Sequence, residues 1–470
     1  MRLNFAVALL LLAPLPLWAG DATNDLATEL AALRAEVQRL QVRDAEVAAL
    51  RAEVEDLRSR DQGSWLDGRR AEEVKALIHE VLADAESRAS LAAGGLTAGF
   101  NKGFFLASED GNFLMKIGGY VQARYIALFR SEQAGEGQDD DEFGFQIRRA
   151  KMSLEGHVID PRLEYKIQFA ANRDGGEVEL EDAYARYEWA DGYFVQAGQF
   201  KPRFNREELV SATRQQAMER STVNGFFRVS RPQAVQASGE YEMWNWAVAL
   251  HDGPEAENTD FHLDNTDVAL AGRAELLLAG TWDQFKHYAA WSGTPFGLLL
   301  GGGLDYELAE SGSGTRFLFE DFWQWTADAS VQLDPVNLFV AGYGRHVDGA
   351  GAIGGDFDQF GVVVQAGFFI IPDTMDVFGR WEWLDHGGFV EVRAAPNFGT
   401  PGRIAPGLAD EVHIFTFGTN YYFKKHDVKL TFDIVWAPEG LRQNDTGAGL
   451  LASDTDRDMA ALRAQLQVLF

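Results

Sequence analysis

The last strand of the chain most constrains its fold, because apolar residues recur there at every second position. Ala460, Leu462, Ala464, Leu466, Val468 and Phe470 are separated by Ala461, Arg463, Gln465, Gln467 and Leu469. A period of two places successive side chains on opposite faces of an extended strand. One face here suits hydrocarbon, and Arg463, Gln465 and Gln467 on the other suit water. The same pattern runs through Trp323 to Leu333 against Gln324, Thr326, Asp328, Ser330 and Gln332, and through Val428 to Trp436 against Lys429, Thr431 and Asp433. Strands of this kind cross a bilayer as a closed barrel, which leaves no backbone group unpaired in lipid.

Sixteen such segments are predicted, starting near residues 112, 143, 162, 179, 192, 233, 243, 267, 296, 322, 336, 356, 373, 410, 426 and 458. The fold class is thus an all-β membrane protein: a 16-stranded antiparallel transmembrane β-barrel spanning 95–470, preceded by a short α-helical coiled coil. Connection lengths support it. Short links such as Asp160-Pro161, Asp334-Pro335 and Pro372-Asp373 alternate with long ones around 130–142, 201–232, 252–266, 309–321, 346–357, 386–409 and 438–457. Short periplasmic turns and long outer loops have this order, whereas a soluble β-sandwich has no reason for it. Only 279–295 is long where a short turn is due.

The amino terminus reads as export machinery. Arg2, an apolar run from Phe5 to Leu12, and Leu17-Trp18-Ala19 form a signal peptide over 1–19, with a retained anchor as the alternative. Over 20–60, Leu26, Leu30, Leu33, Val37, Leu40, Val47, Leu50, Val54 and Leu57 mark a heptad seam interrupted at Asp44, which predicts a periplasmic coiled coil. A single amphipathic helix packed on another surface is the competing interpretation. Residues 61–94 read as a helical linker, with Val74, Leu77, Ile78, Val81, Leu82 and Ala85 on one face. The chain has no cysteine, which excludes disulfides and thiolate metal sites, and its net charge of -29 argues against nucleic acid as a partner.

No catalytic motif survives inspection. Gly349 to Gly354 fits a dinucleotide glycine pattern but joins two strands where a helix should open. Asp454, Asp456 and Asp458 have calcium-loop spacing, yet Met459 and Gln465 stand where Gly and Glu are needed. No enzyme activity, cofactor or metal is therefore expected, although a membrane hydrolase could hide its residues on separate strands.

The informative charges face water. By parity Arg124, Arg149, Lys151, Lys166, Arg273 and Arg380 belong to the pore wall, set against acids such as Glu155, Glu164, Asp182, Glu275, Asp328, Glu382 and Asp433. A lattice of cross-strand salt bridges that only stiffens the wall is the plainer interpretation. The outer loops are acidic at 136–142 and 255–264, but the loop after Gln199 concentrates Lys201, Arg203, Arg206 and Arg220. That contrast marks these four as a selectivity element attractive to anions. Phe470, ending the cleanest strand, is expected to act as an assembly signal.

Gly198-Gln199-Phe200-Lys201-Pro202-Arg203-Phe204 with the later Glu219-Arg220 resembles the phosphate-selective porin O and P family, and so do Lys116 to Gln122 and Arg148-Arg149-Ala150. Arg203 stands where the family's segment has a second proline. The resemblance covers most of 95–470 and implies a sixteen-stranded trimeric barrel whose third outer loop folds inward. The expected function is passive diffusion of small, phosphate-like anions through the outer membrane of a Gram-negative-type bacterium. The expected partners are lipid, anionic solutes, two further copies of the chain, and the cell wall through the coiled coil. A structural anchor that tethers the stalk is the alternative function.

Overall fold

The computed structural model describes residues 95–470 apart from 101–102, 132–140, 172–175, 254–256, 261–265, 310–318, 350–354, 389–408, 443, 446 and 453–455. The signal peptide, coiled coil and helical linker expected from the sequence lie outside the described residues.

A hairpin of β1 (Leu96–Phe100) and β2 (Phe104–Ser108) precedes sixteen longer strands. These are β3 (Leu114–Arg130), β4 (Glu142–Val158), β5 (Asp160–Ala171), β6 (Val178–Ala190), β7 (Tyr193–Gln199), β8 (Gln233–Glu240), β9 (Trp244–His251), β10 (Thr266–Ala279), β11 (Gly297–Ala309), β12 (Phe319–Leu333), β13 (Val336–Gly349), β14 (Phe357–Ile371), β15 (Met375–Asp385), β16 (Glu411–Lys424), β17 (Val428–Ala437) and β18 (Met459–Leu469). Each pairs antiparallel with the next, and β18 returns to β3 from Met459↔Arg130 to Leu469↔Tyr120, which closes the barrel. All sixteen begin within three residues of the expected positions. Hydrophobic alternation alone locates strands this well because register and burial are the same variable on a two-faced wall.

The alternating apolar residues of β17 and β18 face outward, whereas Val435, Ala437, Met459 and Ala461 are buried on the inner side. Phe432, Ile434, Trp436, Leu462, Leu466 and Val468 are exposed, as lipid-facing side chains of an isolated barrel must be. Inside, Asp433 and Arg463 form a directly opposed cross-strand ion pair at 2.7 Å.

At the short-turn rim Phe470 completes the seam. Its N–H donates to the Gly119 carbonyl at 3.0 Å, and the Gly119 N–H donates to the Phe470 carbonyl at 2.9 Å. β2 then continues the pairing beyond the chain end, with Phe104 opposite Ile117. Deleting Phe470 removes one exposed ring and both closing hydrogen bonds, so little inserted barrel is expected. Cell fractionation with heat-modifiable gel mobility checks this, and wild-type amounts in the membrane would refute it.

Candidate functional site: the constricted lumen

The functional space of a barrel is its lumen, and here two connections fold into it. The first runs from Phe200 to Pro232. Within it, Asn205 caps the short helix Arg206–Leu209 by accepting from the Glu208 N–H, and Ser221 caps Thr222–Phe227 by accepting from the Asn224 N–H. The Glu207 carboxylate joins the two turns, accepting from the Ser221 N–H at 2.6 Å and the Ser221 hydroxyl at 2.5 Å. Val210, Val223, Phe226 and Phe227 are buried and pack with Phe339, Ala341, Tyr343 and Val363 of the wall. Gly303 and Gly361 make the approach feasible. A Cβ on Gly303 would lie 2.5 Å from the Phe204 carbonyl oxygen, and one on Gly361 would lie 2.5 Å from Val223.

Wall arginines grip this loop by its backbone. Arg273 donates to the Phe204 carbonyl at 3.0 Å, Arg345 to that of Phe226 at 2.8 Å, and Arg380 to that of Glu219 at 2.8 Å. Lys429 donates to the Gln215 carbonyl at 2.6 Å. Gln216 spans Asn337 and Asp376, and Gln467 reaches the Thr213 carbonyl. The loop therefore reaches the wall from β10 to β18, and water-facing residues there such as Arg273, Asp305, Gln324, Arg345, Arg380 and Gln467 are buried.

The second connection, 280–296, is the long link where a short turn was due, and its length is spent inside the mouth. Tyr288, Ala289, Ala290 and Trp291 are buried. Trp291 packs against Phe369 at 5.1 Å, Tyr422 at 4.9 Å and His426 at 5.2 Å between ring centroids. The Tyr288 N–H meets the Arg214 carbonyl at 3.4 Å, so the two inward segments touch. Its tip is held by Asp373, which accepts from the Ser292 N–H, and by Asp334, which accepts from the Gly293 N–H. Burial pushes the His287 imidazole down to about 4, helped by Arg214, and pushes His426 well below its usual range, helped by Lys429 and His287.

What remains open lies along β4 to β8. Four groups of charges line it. Glu219 receives Arg124 at 2.5 Å, Arg148 at 2.6 Å and Arg149 at 2.6 Å. Glu208 sits between Lys201 and Arg220. Glu240 sits between Arg186 at 2.8 Å and Arg203 at 2.5 Å. Glu181 and Asp182 share Arg231, while Lys151 reaches Glu181 and Lys166 reaches Asp182 at 2.8 Å.

The expected site residues thus separate into two sets. Lys201, Arg203 and Arg220 of the inward loop and Arg149, Lys151 and Lys166 of the wall keep part of their side chains in water. Arg124, Arg273 and Arg380 are buried behind the loop, held by Glu219, Asp328 at 2.8 Å and Glu382 at 2.7 Å respectively. Arg206 is buried too, and its Nε and Nη2 find no hydrogen-bond partner among the described residues. Parity missed Arg148 and Glu181. Register shifts opposite Gln122/Ala123 and Gln168/Phe169 leave these two residues unpaired as bulges, so Arg148 joins Arg149 and Glu181 joins Asp182 on the inner face. Two successive charges inside an alternating strand were the available signal.

The model of the family described as phosphate-selective porin O and P matches residues 121–470. No curated protein matches the chain. Among solved structures, the trimer form of the outer membrane protein OmpT of Vibrio cholerae is similar at 12% identity and a TM-score of 0.48, over 76% of this chain and 99% of that one. OprB of Pseudomonas putida, in its high-pH structure, is similar at 11% identity and a TM-score of 0.48, over 76% and 94%. The outer membrane channel DcaP of Acinetobacter baumannii is similar at 11% identity and a TM-score of 0.47, over 79% and 100%. With a closed sixteen-stranded barrel, a lumen lined by charge and a family model that spans 350 of its 470 residues, the chain belongs to the phosphate-selective porin O and P family and is a porin of the outer membrane.

Proposed function

We propose that this porin conducts small anions, phosphate-like solutes among them, along the passage between the inward loop and β4 to β8. One observation carries the reading: at the charge groups the cations stand in front and the carboxylates behind. Nine basic side chains, Arg148, Arg149, Lys151, Lys166, Arg186, Lys201, Arg203, Arg220 and Arg231, keep 10–25% of their surface in water. Glu208, Glu219 and Asp182 keep only 6–9%, and the exceptions are Glu181 at 14%, level with Arg231, and Glu240 at 35%. Carboxylates shared among two or three cations leave a positive excess facing the solute. In a narrow passage with low-dielectric walls, bulk salt screens that excess poorly. Exposed Glu155 and Glu164 lie nearer the short-turn rim.

Replacing Lys166, Arg186 and Arg203 together by Glu is expected to move the zero-current potential in a salt gradient from anion toward cation preference. These are the most exposed of the nine, so the barrel should tolerate the change. A potential unmoved at preserved conductance would refute the assignment, and a wild-type barrel that does not conduct would favour the anchor.

A further inference from the structure

We infer that the outer end of the β13–β14 hairpin is a site for a first-row divalent cation of the zinc class, held by His346, Asp348 and Asp356 and braced by Asp358. The ligand atoms of His346, Asp348 and Asp356 all lie within 4.8 Å of one another. His346 and Asp348 belong to β13, and Asp356 immediately precedes β14. Register places His346 directly opposite Asp358, and Asp348 follows two residues on, so these three share one face. That face is the outer one. Arg345 and Val347, which flank His346, are buried inside, whereas the exposed Trp323 is the register partner of His346 on β12.

The imidazole is oriented as a ligand. Its Nδ1 lies 2.8 Å from the Asp358 Oδ1, and its Nε2 lies 3.5 Å from the Asp348 Oδ1. With Nδ1–H donated to Asp358, the Nε2 lone pair faces the Asp348 carboxylate, and a cation between them satisfies both. A carboxylate behind the imidazole of a metal ligand is the usual outer-shell arrangement, fixing the tautomer and ring orientation. Bonds of roughly 2.0–2.2 Å to nitrogen and oxygen would draw the three donors together by well under the spread they already show. The nitrogen donor sets the class of ion. Imidazole suits zinc, nickel and copper, whereas calcium and magnesium prefer oxygen alone. Bound there, the ion would clip the end of β13 to the start of β14 and fix the rim beside Trp323.

The test uses the full-length protein in detergent, stripped with chelator and titrated with Zn2+ by calorimetry, and with Co2+ by visible absorption. One Zn2+ per chain is expected. His346→Ala should weaken it by at least about tenfold, and Asp358→Asn by about tenfold, in the range usual for an outer-shell partner. A tenfold excess of Ca2+ should not displace the ion. Unchanged heat-modifiable mobility would show that both variants still fold. The proposal is overturned if Zn2+ does not bind, if His346→Ala binds it like wild type, or if Ca2+ competes on equal terms.

Discussion

Glu219→Gln is expected to raise anion permeability severalfold and to push the zero-current potential further toward anions. Glu219 receives Arg148 and Arg149 and is the counter-ion of Arg124. Removing one partner of a buried ion pair strands the other charge, at a cost on the order of 3–5 kcal/mol where no solvent can reach it. Arg148 and Arg149 have an outlet, because both already touch water at the open side. Their guanidinium groups would swing toward the passage and present more charge to a solute. The loop itself should stay docked, since Arg380 holds the Glu219 backbone carbonyl rather than its carboxylate, and Thr222 still donates to Glu382 at 2.7 Å. Single-channel recording with reversal potentials in a chloride gradient reads the effect. A shift toward cations would sink the account, and so would no shift with the barrel intact.

Acidification should loosen the inward turn 280–296, with the change falling between about pH 6.5 and about pH 4. An imidazole in water titrates near 6.5. Burial holds His287 down to about 4 in the docked turn, with Arg214, Lys425 and Arg206 adding to the depression, and His426 is depressed as well, with Lys429, His287, Arg214 and Lys425 around it. The undocked state therefore binds more protons across this window. Docking is at full strength above the ordinary histidine value, weakens as pH falls, and stops weakening once His287 is protonated in place. The depression of His287 alone corresponds to about 3 kcal/mol at the acid end. His287 and His426 stand 5.5 Å apart between ring centroids, and neither nitrogen of His426 has a hydrogen-bond partner among the described residues, so protonating either adds an uncompensated charge. Amide exchange in 284–291 should quicken as pH is lowered, with channel current rising in step. Replacing both histidines by Phe should abolish that response. A double variant that responds to acid like wild type would show that these histidines do not cause the effect.

The strand count, the strand starts and the inner-to-outer alternation were legible in the sequence, because on a wall with lipid on one side and water on the other each residue's polarity reports its face directly. The basic character of the segment from Lys201 to Arg220 was legible for the same local reason, and the resemblance implied that this loop folds inward. Tertiary structure decided how the charges are used. Arg273 and Arg380 have the parity of pore residues but are spent on the backbone of a loop and on Asp328 and Glu382, contacts between positions up to 161 residues apart. The fault in the loop-length rule at 279–295 was visible, but its cause, a turn folded back against Phe369, Tyr422 and His426, was not. Bulges at Arg148 and Glu181 add a residue to one strand without changing its composition, so strict alternation could not anticipate them. They nonetheless build the charge groups around Glu219 and Arg231. Local alternation fixes which way a side chain points only while pairing stays in step, and the choice of partner across the lumen rests on where two long segments dock.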